Sequence, residues 1–322
     1  MISDIFRVTK FIRGKYIMQE YLIVLNKDED TISIVNLQTN EIEKTIETDY
    51  NPHEVVVTPD GKKTYVTCSL GNKINIINNE TFEIEKTLEH PDFNFPHGLG
   101  VTTDGNKIYM ASTYSEKVFI INSETDEIEK VFPTYQKLSH MISFSPDGRT
   151  VYVPNIGSDN MTVIDTTKEE IINHFPVGKA PEGVAVHPNG EHLYVANQGD
   201  NNLYVINTRT LEVEHKRRVG SVPIRIVFSP DGKYALIPNR ESGDLSIIET
   251  AHELKGNVRP WEVKRIRVGV WPGGTVFNEQ GTLAFVANNK TNDISVINMD
   301  TLKEEQRIEV GIHPDGIAYL KK

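Results

Sequence analysis

Short apolar runs recur along the whole chain, and each run follows a turn. In six segments a turn of the Pro-Asp-Gly type leads into a stretch where large and small apolar residues alternate. Such a turn combines a preset φ, a local side-chain acceptor and a residue that tolerates positive φ. A period of two after a turn predicts a β-strand. The six segments are TPDGKKTYVTC (58–68), TTDGNKIYMAS (102–112), SPDGRTVYVPN (145–155), HPNGEHLYVAN (187–197), SPDGKYALIPN (229–239) and NEQGTLAFVAN (278–288).

A further apolar strand follows in each unit, and a charged strand follows that one. Most of these apolar strands close with Asn or Asp and carry Thr three residues later, which is hairpin-turn chemistry. The next strand, as in EIEKTI or EVEHKRRVG, is the most charged of its unit and is expected at the outer edge of a sheet. The apolar strands are ISIVN (32–36), INIIN (74–78), VFIIN (118–122), MTVID (161–165), LYVIN (203–207), LSIIE (245–249) and ISVIN (294–298).

The spacing of the units gives the fold. The residue before each first strand recurs at intervals of 44, 43, 42, 42, 49 and 42 residues. Four strands in roughly 40–50 residues are typical of a β-propeller blade. The long unit contains AHELKGNVRPWEVKR (251–265), which we interpret as an insertion in the turn between its third and fourth strands. The index residues are Pro52, Pro96, Ser139, Pro181, Pro223, Pro272 and Pro314.

The two ends of the repeat complete each other. The stretch PDGIAYL (314–320) has the pattern of a first strand with no partner after it, and EYLIVLN (20–26) that of a second strand without a first. Joined, they remove two exposed strand edges. The sequence therefore predicts one all-β, seven-bladed propeller over 20–322, with four-stranded blades and an N-terminal extension over 1–19. For that extension we favour an added outer strand or disorder over a basic membrane-surface segment.

The composition of the chain argues against several classes of function. The 322-residue chain has a formal net charge of −11, which argues against binding to a nucleic-acid backbone. Its single cysteine, Cys68, excludes an intramolecular disulfide and a zinc site built on several thiolates. The chain has no apolar stretch of spanning length and no secretory signal pattern. We therefore expect a cytoplasmic protein without membrane or nucleic-acid partners, acting as a monomer or weak oligomer.

The strands after the turns resemble a known repeat. The motifs TYVTC, VYVPN, LYVAN and AFVAN are similar to those of the YVTN-repeat β-propellers, whose neighbourhood includes lactonase-like and streptogramin-lyase-like propellers. The resemblance covers residues 20–320, and only Cys68 and Ser112 depart from the asparagine of the motif. It implies a reactive centre at the axis, on the face where the first strands begin. The resemblance also implies metal-assisted lyase or hydrolase chemistry at this centre.

The residue after each index residue forms a ring with a chemical pattern. Three histidines stand on consecutive units, and an acid flanks them on each side. Imidazoles and a carboxylate can bind a divalent metal and leave a position open for water or substrate. Structural hydrogen bonding and metal-free substrate binding are the alternatives. In order around the propeller, the ring reads Asp315, His53, His97, His140, Glu182, Ile224 and Gly273.

The sequence-based hypothesis is a metal-dependent lyase or hydrolase that acts on a small organic molecule in the central channel. His53, His97 and His140 would hold a transition metal such as Zn, Fe, Mn or Ni, and Glu182 would be a fourth ligand or general base. One of two arginines would anchor the substrate. The alternative is a non-enzymatic propeller that binds a protein partner or a cofactor such as a tetrapyrrole. The other candidate site residues are Arg225 and Arg240 as anchors, and Tyr114, Trp271, Phe95, His313 and Asp315 for substrate binding.

The second strands end in a further repeated position. Asparagine occupies this place in most units. Because Asn side chains bond to nearby backbone and turn groups, we interpret these residues as caps of the following turn and not as site residues. The residues are Asn26, Cys68, Ser112, Asn155, Asn197, Asn239 and Asn288.

Overall fold

The structure, a computed structural model, describes residues 18–322. They form seven antiparallel sheets of four strands, arranged as the blades of a propeller. The predicted seven-bladed β-propeller is confirmed. The first four blades in chain order contain β1 (Glu20–Asn26), β2 (Thr31–Asn36) and β3 (Glu41–Glu47); β4 (Pro52–Val57), β5 (Lys63–Cys68), β6 (Lys73–Asn78) and β7 (Glu83–Glu89); β8 (Pro96–Val101), β9 (Lys107–Ser112), β10 (Lys117–Asn122) and β11 (Glu127–Pro133); and β12 (Ser143–Phe144), β13 (Thr150–Asn155), β14 (Asn160–Asp165) and β15 (Glu170–Pro176).

The remaining blades follow the same order. Their strands are β16 (Pro181–Val186), β17 (His192–Asn197), β18 (Asn202–Asn207) and β19 (Val213–Arg218); β20 (Val227–Phe228), β21 (Tyr234–Asn239), β22 (Asp244–Leu254) and β23 (Asn257–Arg267); and β24 (Pro272–Phe277), β25 (Leu283–Asn288), β26 (Asp293–Asn298) and β27 (Lys303–Glu309), followed by β28 (Pro314–Lys321).

The last strand closes the ring as the sequence predicts. Strand β28 pairs antiparallel with β1 and becomes the first strand of blade 1. The backbone pairing continues to Gln19, whose N–H donates to the Lys322 carbonyl at 2.6 Å. The predictions for the extension over 1–19 concern residues outside the described part of the chain, apart from Met18 and Gln19. Within the described residues, no helix is long and apolar enough to cross a membrane.

The hydrophobic core lies between neighbouring blades. The alternating pattern gives each strand two faces, and in a propeller each face meets the next sheet, so both faces of the inner strands are apolar. Tyr109 and Ile120 of blade 3, for example, pack in one buried cluster with Val151 and Ile164 of blade 4. The outer strands stay charged because one of their edges meets solvent.

The asparagines that end the second strands cap the next turn, as predicted. Asn239 Nδ2 donates to Asp244 Oδ1 at 2.7 Å and to Ser246 Oγ at 2.9 Å, and Asn155 makes the equivalent bonds to Asn160 and Thr162. These side chains are fully buried, so their amides need partners within the protein.

The long unit differs from the sequence-based interpretation. The insertion over 251–265 does not form a loop, because it lengthens β22 and β23 to 11 residues each. The ladder runs out to the pair Leu254↔Asn257, and Lys255 and Gly256 turn the chain with φ of 52° and 78°. Two residues with positive φ make a hairpin turn that matches strand twist. Blade 6 therefore carries a β-hairpin longer than that of any other blade within the described residues.

Candidate functional site

All seven residues of the predicted ring surround one cavity at the axis. The cavity has a volume of about 280 Å³ and lies where the first strands begin. Each of the seven blades contributes its ring residue to the lining, together with residues from the loops above. The ring members are Asp315, His53, His97, His140, Glu182, Ile224 and Gly273.

Irregular strand pairing turns the ring residues towards the axis. Where the first strand starts, its pairing with the second strand shifts by a residue, as between Pro52 and Glu54 and between Pro181 and Gly183. A bulge of this kind re-aims a side chain next to a functional site. Glycines then let the crowded backbones approach, since a Cβ on Gly98 would clash with the His140 carbonyl oxygen.

The three histidines pack against each other as neutral rings. The rings of His97 and His140 stack with their centroids 3.7 Å apart, and His53 lies 4.5 Å from His97. Burial lowers the pKa of His53 to about 4 and outweighs the opposing charge of Asp315. Burial also holds the pKa of His97 and of His140 well below the ordinary value, and nearby positive charges add to the effect. All three imidazoles are therefore neutral at pH 7.

The arrangement of these rings does not fit the predicted metal centre. Two stacked rings direct their nitrogens side by side, whereas metal ligands converge on one point. No group of three or more His, Cys, Asp or Glu side chains within residues 18–322 is placed to hold a metal ion. A metal held by His53, His97, His140 and Glu182 stays a prediction that would require these side chains to rotate.

His53 belongs to a charged cluster with Asp315 and Lys27. Asp315 Oδ2 lies 2.7 Å from Lys27 Nζ and 3.5 Å from His53 Nε2. Burial alone would raise the pKa of Asp315, but Lys27, His53 and Arg225 hold it well below the ordinary value. On its other side, His53 Nδ1 lies 3.2 Å from Asn51 Oδ1. Asn51 Nδ2 donates to the Lys27 carbonyl, so its Oδ1 faces the imidazole and accepts a hydrogen bond from Nδ1–H.

Next to the histidines, a buried ion cluster joins three blades, and His97 Nε2 lies 3.9 Å from Glu54 Oε1. Arg225 of blade 6 contacts Glu54 of blade 2 through Nη2, and its Nη1 lies 3.4 Å from Glu182 Oε1 of blade 5. Nη1 also donates to the Ile224 carbonyl at 3.0 Å. Burial raises the pKa of Glu54 to about 7 despite the opposing charge of Arg225, and it raises the pKa of Glu182. Arg225 and Glu182 thus bind each other, a geometry that favours positioning over the predicted roles of anchor and base.

Of the five other candidates, four line the cavity and one does not. Phe95, Tyr114, Trp271 and Arg240 line the cavity. Phe95 and Trp271 directly precede their index prolines and have left-handed backbone conformations, with φ of 60° and 58°. His313 lies outside this lining, because its Nδ1 pairs with Asp28 and its Nε2 lies 3.2 Å from Lys290 Nζ.

Several site residues escaped the sequence analysis. Lys27, Gln198 and Asn289 line the cavity, and each is the residue directly after the capping position of a second strand. Arg240 occupies the same position in its blade, so the repeat register could have identified the whole set. No repeated position identified Glu54, because the alternation of a strand predicts that its side chain and that of the neighbouring His53 face opposite sides.

Sequence comparison identifies the class of protein. Residues 133–307, more than half of the chain, match the profile of the family described as lactonase, 7-bladed beta-propeller. The chain belongs to this lactonase family. Residues 14–92 are also similar to the YNCE-like beta-propeller family. No curated protein sequence matches the chain.

Solved structures share the fold at low sequence identity. A putative 6-phosphogluconolactonase from Bacteroides fragilis is 17% identical, with a TM-score of 0.75 over 94% of this chain and 98% of its own. The periplasmic gluconolactonase of Pseudomonas aeruginosa is 16% identical, with a TM-score of 0.77 over 94% and 99%. Kuenenia stuttgartiensis hydrazine synthase is 19% identical, with a TM-score of 0.75 over 91% and 100%. At these identities the likeness shows the fold alone.

Proposed function

We propose that the protein hydrolyses a small lactone in the axial cavity, with His53 as the general base. The observation that carries the proposal is a neutral imidazole 3.5 Å from an ionised carboxylate, at the wall of a small cavity in a lactonase-family propeller. Opening a lactone needs a base for water and a positive group for the carbonyl oxygen, and both are present in this cavity.

The hydrogen bonds around His53 select the nitrogen that acts. Since Nδ1–H donates to Asn51 Oδ1, the lone pair of the neutral ring lies on Nε2. Nε2 accepts the proton of an attacking water, and the Asp315 carboxylate beside it stabilises the imidazolium that forms. Lys27 keeps Asp315 ionised for this task. This is the logic of a base oriented by a second group.

Arg240 is the group best suited to the developing negative charge. Its Nε is buried without a hydrogen-bond partner among residues 18–322, and its Nη2 has only a long contact of 3.4 Å to Gln198. The guanidinium also lies 5.7 Å from the centre of the Trp271 ring, which limits its movement. A fixed cation with free N–H groups can bind a carbonyl oxygen as it becomes an oxyanion.

The bond changes balance within the cavity. As the water oxygen bonds to the carbonyl carbon, His53 Nε2 takes one water proton and the carbonyl electrons move to oxygen. When the carbonyl re-forms, the ring C–O bond breaks and the departing ring oxygen receives the proton from His53. The product is an open-chain hydroxy acid, and His53 returns to its neutral state.

Replacing the base tests the proposal. We expect His53→Asn to lower kcat/KM for lactone opening by roughly 10²–10⁴-fold, because Asn cannot take the proton. The probes are glucono-1,5-lactone, its 6-phosphate and γ-butyrolactone, followed by acid release in a weakly buffered indicator assay. His187→Asn is the matched control, because His187 belongs to a different cleft, where its Nε2 bonds to the Gly232 carbonyl, and it should leave the rate unchanged. Wild-type rates equal to the buffer rate for all three probes would refute the proposal.

The same assay separates this mechanism from a metal-dependent one. We expect the wild-type rate to survive dialysis against EDTA, because the candidate ligands do not converge. Loss of the rate on chelation and its return with one equivalent of a transition metal would contradict the role given to His53.

The pH profile gives a second test of the base. The ordinary pKa of histidine is 6.5, and burial lowers that of His53 to about 4. Since the neutral ring is the active form, kcat/KM should be flat from about pH 5.5 to 7.5 and should fall only as the pH approaches 4. The measurement is kcat/KM at constant ionic strength, corrected for spontaneous hydrolysis. A midpoint near 6.5 would show that the base is exposed or is another group.

A further inference from the structure

The outer strands divide the propeller into acidic and basic sides. Strand β19 carries three Lys or Arg residues against one Glu, and β23 carries four against one. In each of the five other outer strands, acids outnumber Lys and Arg. The two cationic strands belong to the adjacent blades 5 and 6, on a chain whose net charge is −11. We call the surface formed by β19 and β23 the basic flank.

The long hairpin of blade 6 leans onto blade 5 and forms a cleft there. Arg217 Nε of β19 donates to the Pro260 carbonyl of β23 at 2.8 Å, which ties the two strands together. Between them lies a cleft of about 500 Å³. Its lining includes His192, His215 and Arg259. The insertion in the sequence therefore builds a surface feature that other blades lack within residues 18–322.

Arg217 and Arg259, the two arginines beside this cleft, have no acidic partners of their own, although Glu191 and Asp231 also line the cleft. No Asp or Glu within residues 18–322 forms a salt bridge with Arg217 or Arg259, and Arg259 Nε is buried without a hydrogen-bond partner. Burial lowers the pKa of Arg217, and the nearby charge of Arg259 lowers it further. Arg217 Nε and Nη1 already donate to backbone carbonyls, so Arg217 Nη2 and the Arg259 guanidinium are the groups left for a carboxylate from outside.

Exposed apolar groups lie next to these charges. Val258 keeps 66% of its surface exposed and Trp261 keeps 39%. The guanidinium of Arg259 lies 5.1 Å from the centre of the Trp261 ring. Arginine and tryptophan side by side are typical of residues that dominate binding energy at protein interfaces.

We propose that the basic flank binds an extended acidic segment of a protein partner. As the outer strands of two sheets, β19 and β23 each present free backbone groups along one edge, and an extended peptide can add to such an edge as a further strand. Acidic side chains along that peptide would meet Arg217, Arg259 and the exposed Arg218 and Lys264. The strand edge thus gives affinity, and the unpaired cations give specificity.

The charge of the whole molecule favours a short acidic peptide over larger polyanions. A membrane or a nucleic acid presents negative charge over a wide area and would meet the acidic remainder of the protein. A short segment interacts with charges within about one Debye length, roughly 8 Å at physiological salt, and so experiences mainly the basic flank.

The test uses the full chain and defined probes. A fluorescein-labelled decapeptide of alternating Glu and Thr is titrated by fluorescence anisotropy, alongside the same peptide with Gln for Glu. We expect binding of the Glu peptide only, weakening steeply with salt. The double variant Arg218→Glu and Lys264→Glu changes exposed side chains, so it should fold normally and weaken binding by roughly tenfold or more. The charge-matched control is Lys44→Glu with Lys303→Glu on the outer strands of blades 1 and 7, which should bind as wild type.

Alternative binding partners of the basic flank are tested in the same set of titrations. A single-stranded DNA decamer and phosphatidylserine vesicles replace the peptide, and sedimentation velocity at low salt reports self-association. Tighter binding of DNA or vesicles than of the peptide would overturn the proposal. Salt-sensitive self-association that the flank variant removes would assign the flank to a second copy of the chain. Failure of the Glu peptide to bind, or equal binding by both double variants, would also overturn it.

Discussion

Replacing Arg225 with methionine is expected to lower the free energy of unfolding by about 3–5 kcal/mol. Methionine fills the space of the side-chain stem but removes the guanidinium that Glu54 and Glu182 share. Both carboxyl groups are buried, with 8% and 6% of their residues exposed. An unpaired carboxylate at such a buried position loses its hydration without gaining a compensating hydrogen bond or ion pair. The measurement is urea unfolding followed by intrinsic fluorescence.

The loss should depend on pH with a defined sign. Without Arg225, the folded-state pKa of Glu54 and of Glu182 rises further above the ordinary value of 4.5. The folded protein then holds protons that the unfolded chain releases, so its stability falls as the pH rises. The deficit of Arg225→Met relative to wild type should therefore be larger at pH 8 than at pH 5.

A triple variant distinguishes charge from packing. Glu54→Gln and Glu182→Gln remove the orphaned charges, and adding them to Arg225→Met should restore at least half of the lost stability. If the triple variant is as unstable as the single one, the cost lies in lost packing and the ion cluster has no electrostatic role. A deficit that does not change between pH 5 and pH 8 would lead to the same conclusion.

The architecture could be predicted from the repeat because a propeller is the fold that satisfies this strand pattern. A turn with positive φ, two apolar strands and a charged strand define an edge-exposed sheet that needs neighbours on both faces. Counting such units fixed seven blades, and the unmatched ends at 20–26 and 314–320 fixed the closure. The same register placed His53, His97 and His140 on consecutive blades around the axis, where the structure has them.

The orientation of side chains within the ring could not be read from the register. Whether three imidazoles converge on one point or stack depends on the bulges at the strand starts and on rotamers set by neighbouring blades. Glu54 contacts Arg225 directly after the pairing shift at His53, a placement that strand alternation alone does not predict. Its bond to Arg225, 171 residues away, joins blades that no local pattern connects.

The hairpin of blade 6 shows a different limit. The insertion is visible as the one long interval between index residues. Residues 251–265 include many charged residues, however, and their composition is typical of a loop. Pairing with β22 makes it a strand, because each added residue finds a ladder partner and the Lys255-Gly256 turn sets the register. Tertiary context here overrode composition, as it often does in strands.

Ending the chain at His313 is expected to abolish folding to a stable monomer. This change removes β28 and with it the first strand of blade 1, including the buried side chains of Ile317 and Leu320. The apolar strand β1 would then become an open edge able to pair with other chains. We expect soluble aggregates by size-exclusion chromatography and loss of near-ultraviolet circular dichroism.

A circular permutant tests whether closure, and not the position of the chain ends, is what matters. Gln19 and Lys322 exchange both backbone hydrogen bonds, at 2.6 and 2.9 Å, so an Asn-Gly pair can join them as a hairpin turn. New ends between Lys255 and Gly256, at the exposed hairpin tip, break no inner strand. This permutant should fold with an unfolding midpoint close to that of the native order, because β28 still pairs with β1. If it aggregates as the truncated chain does, or if the chain ending at His313 folds as a stable monomer, then β28 does not hold the ring closed.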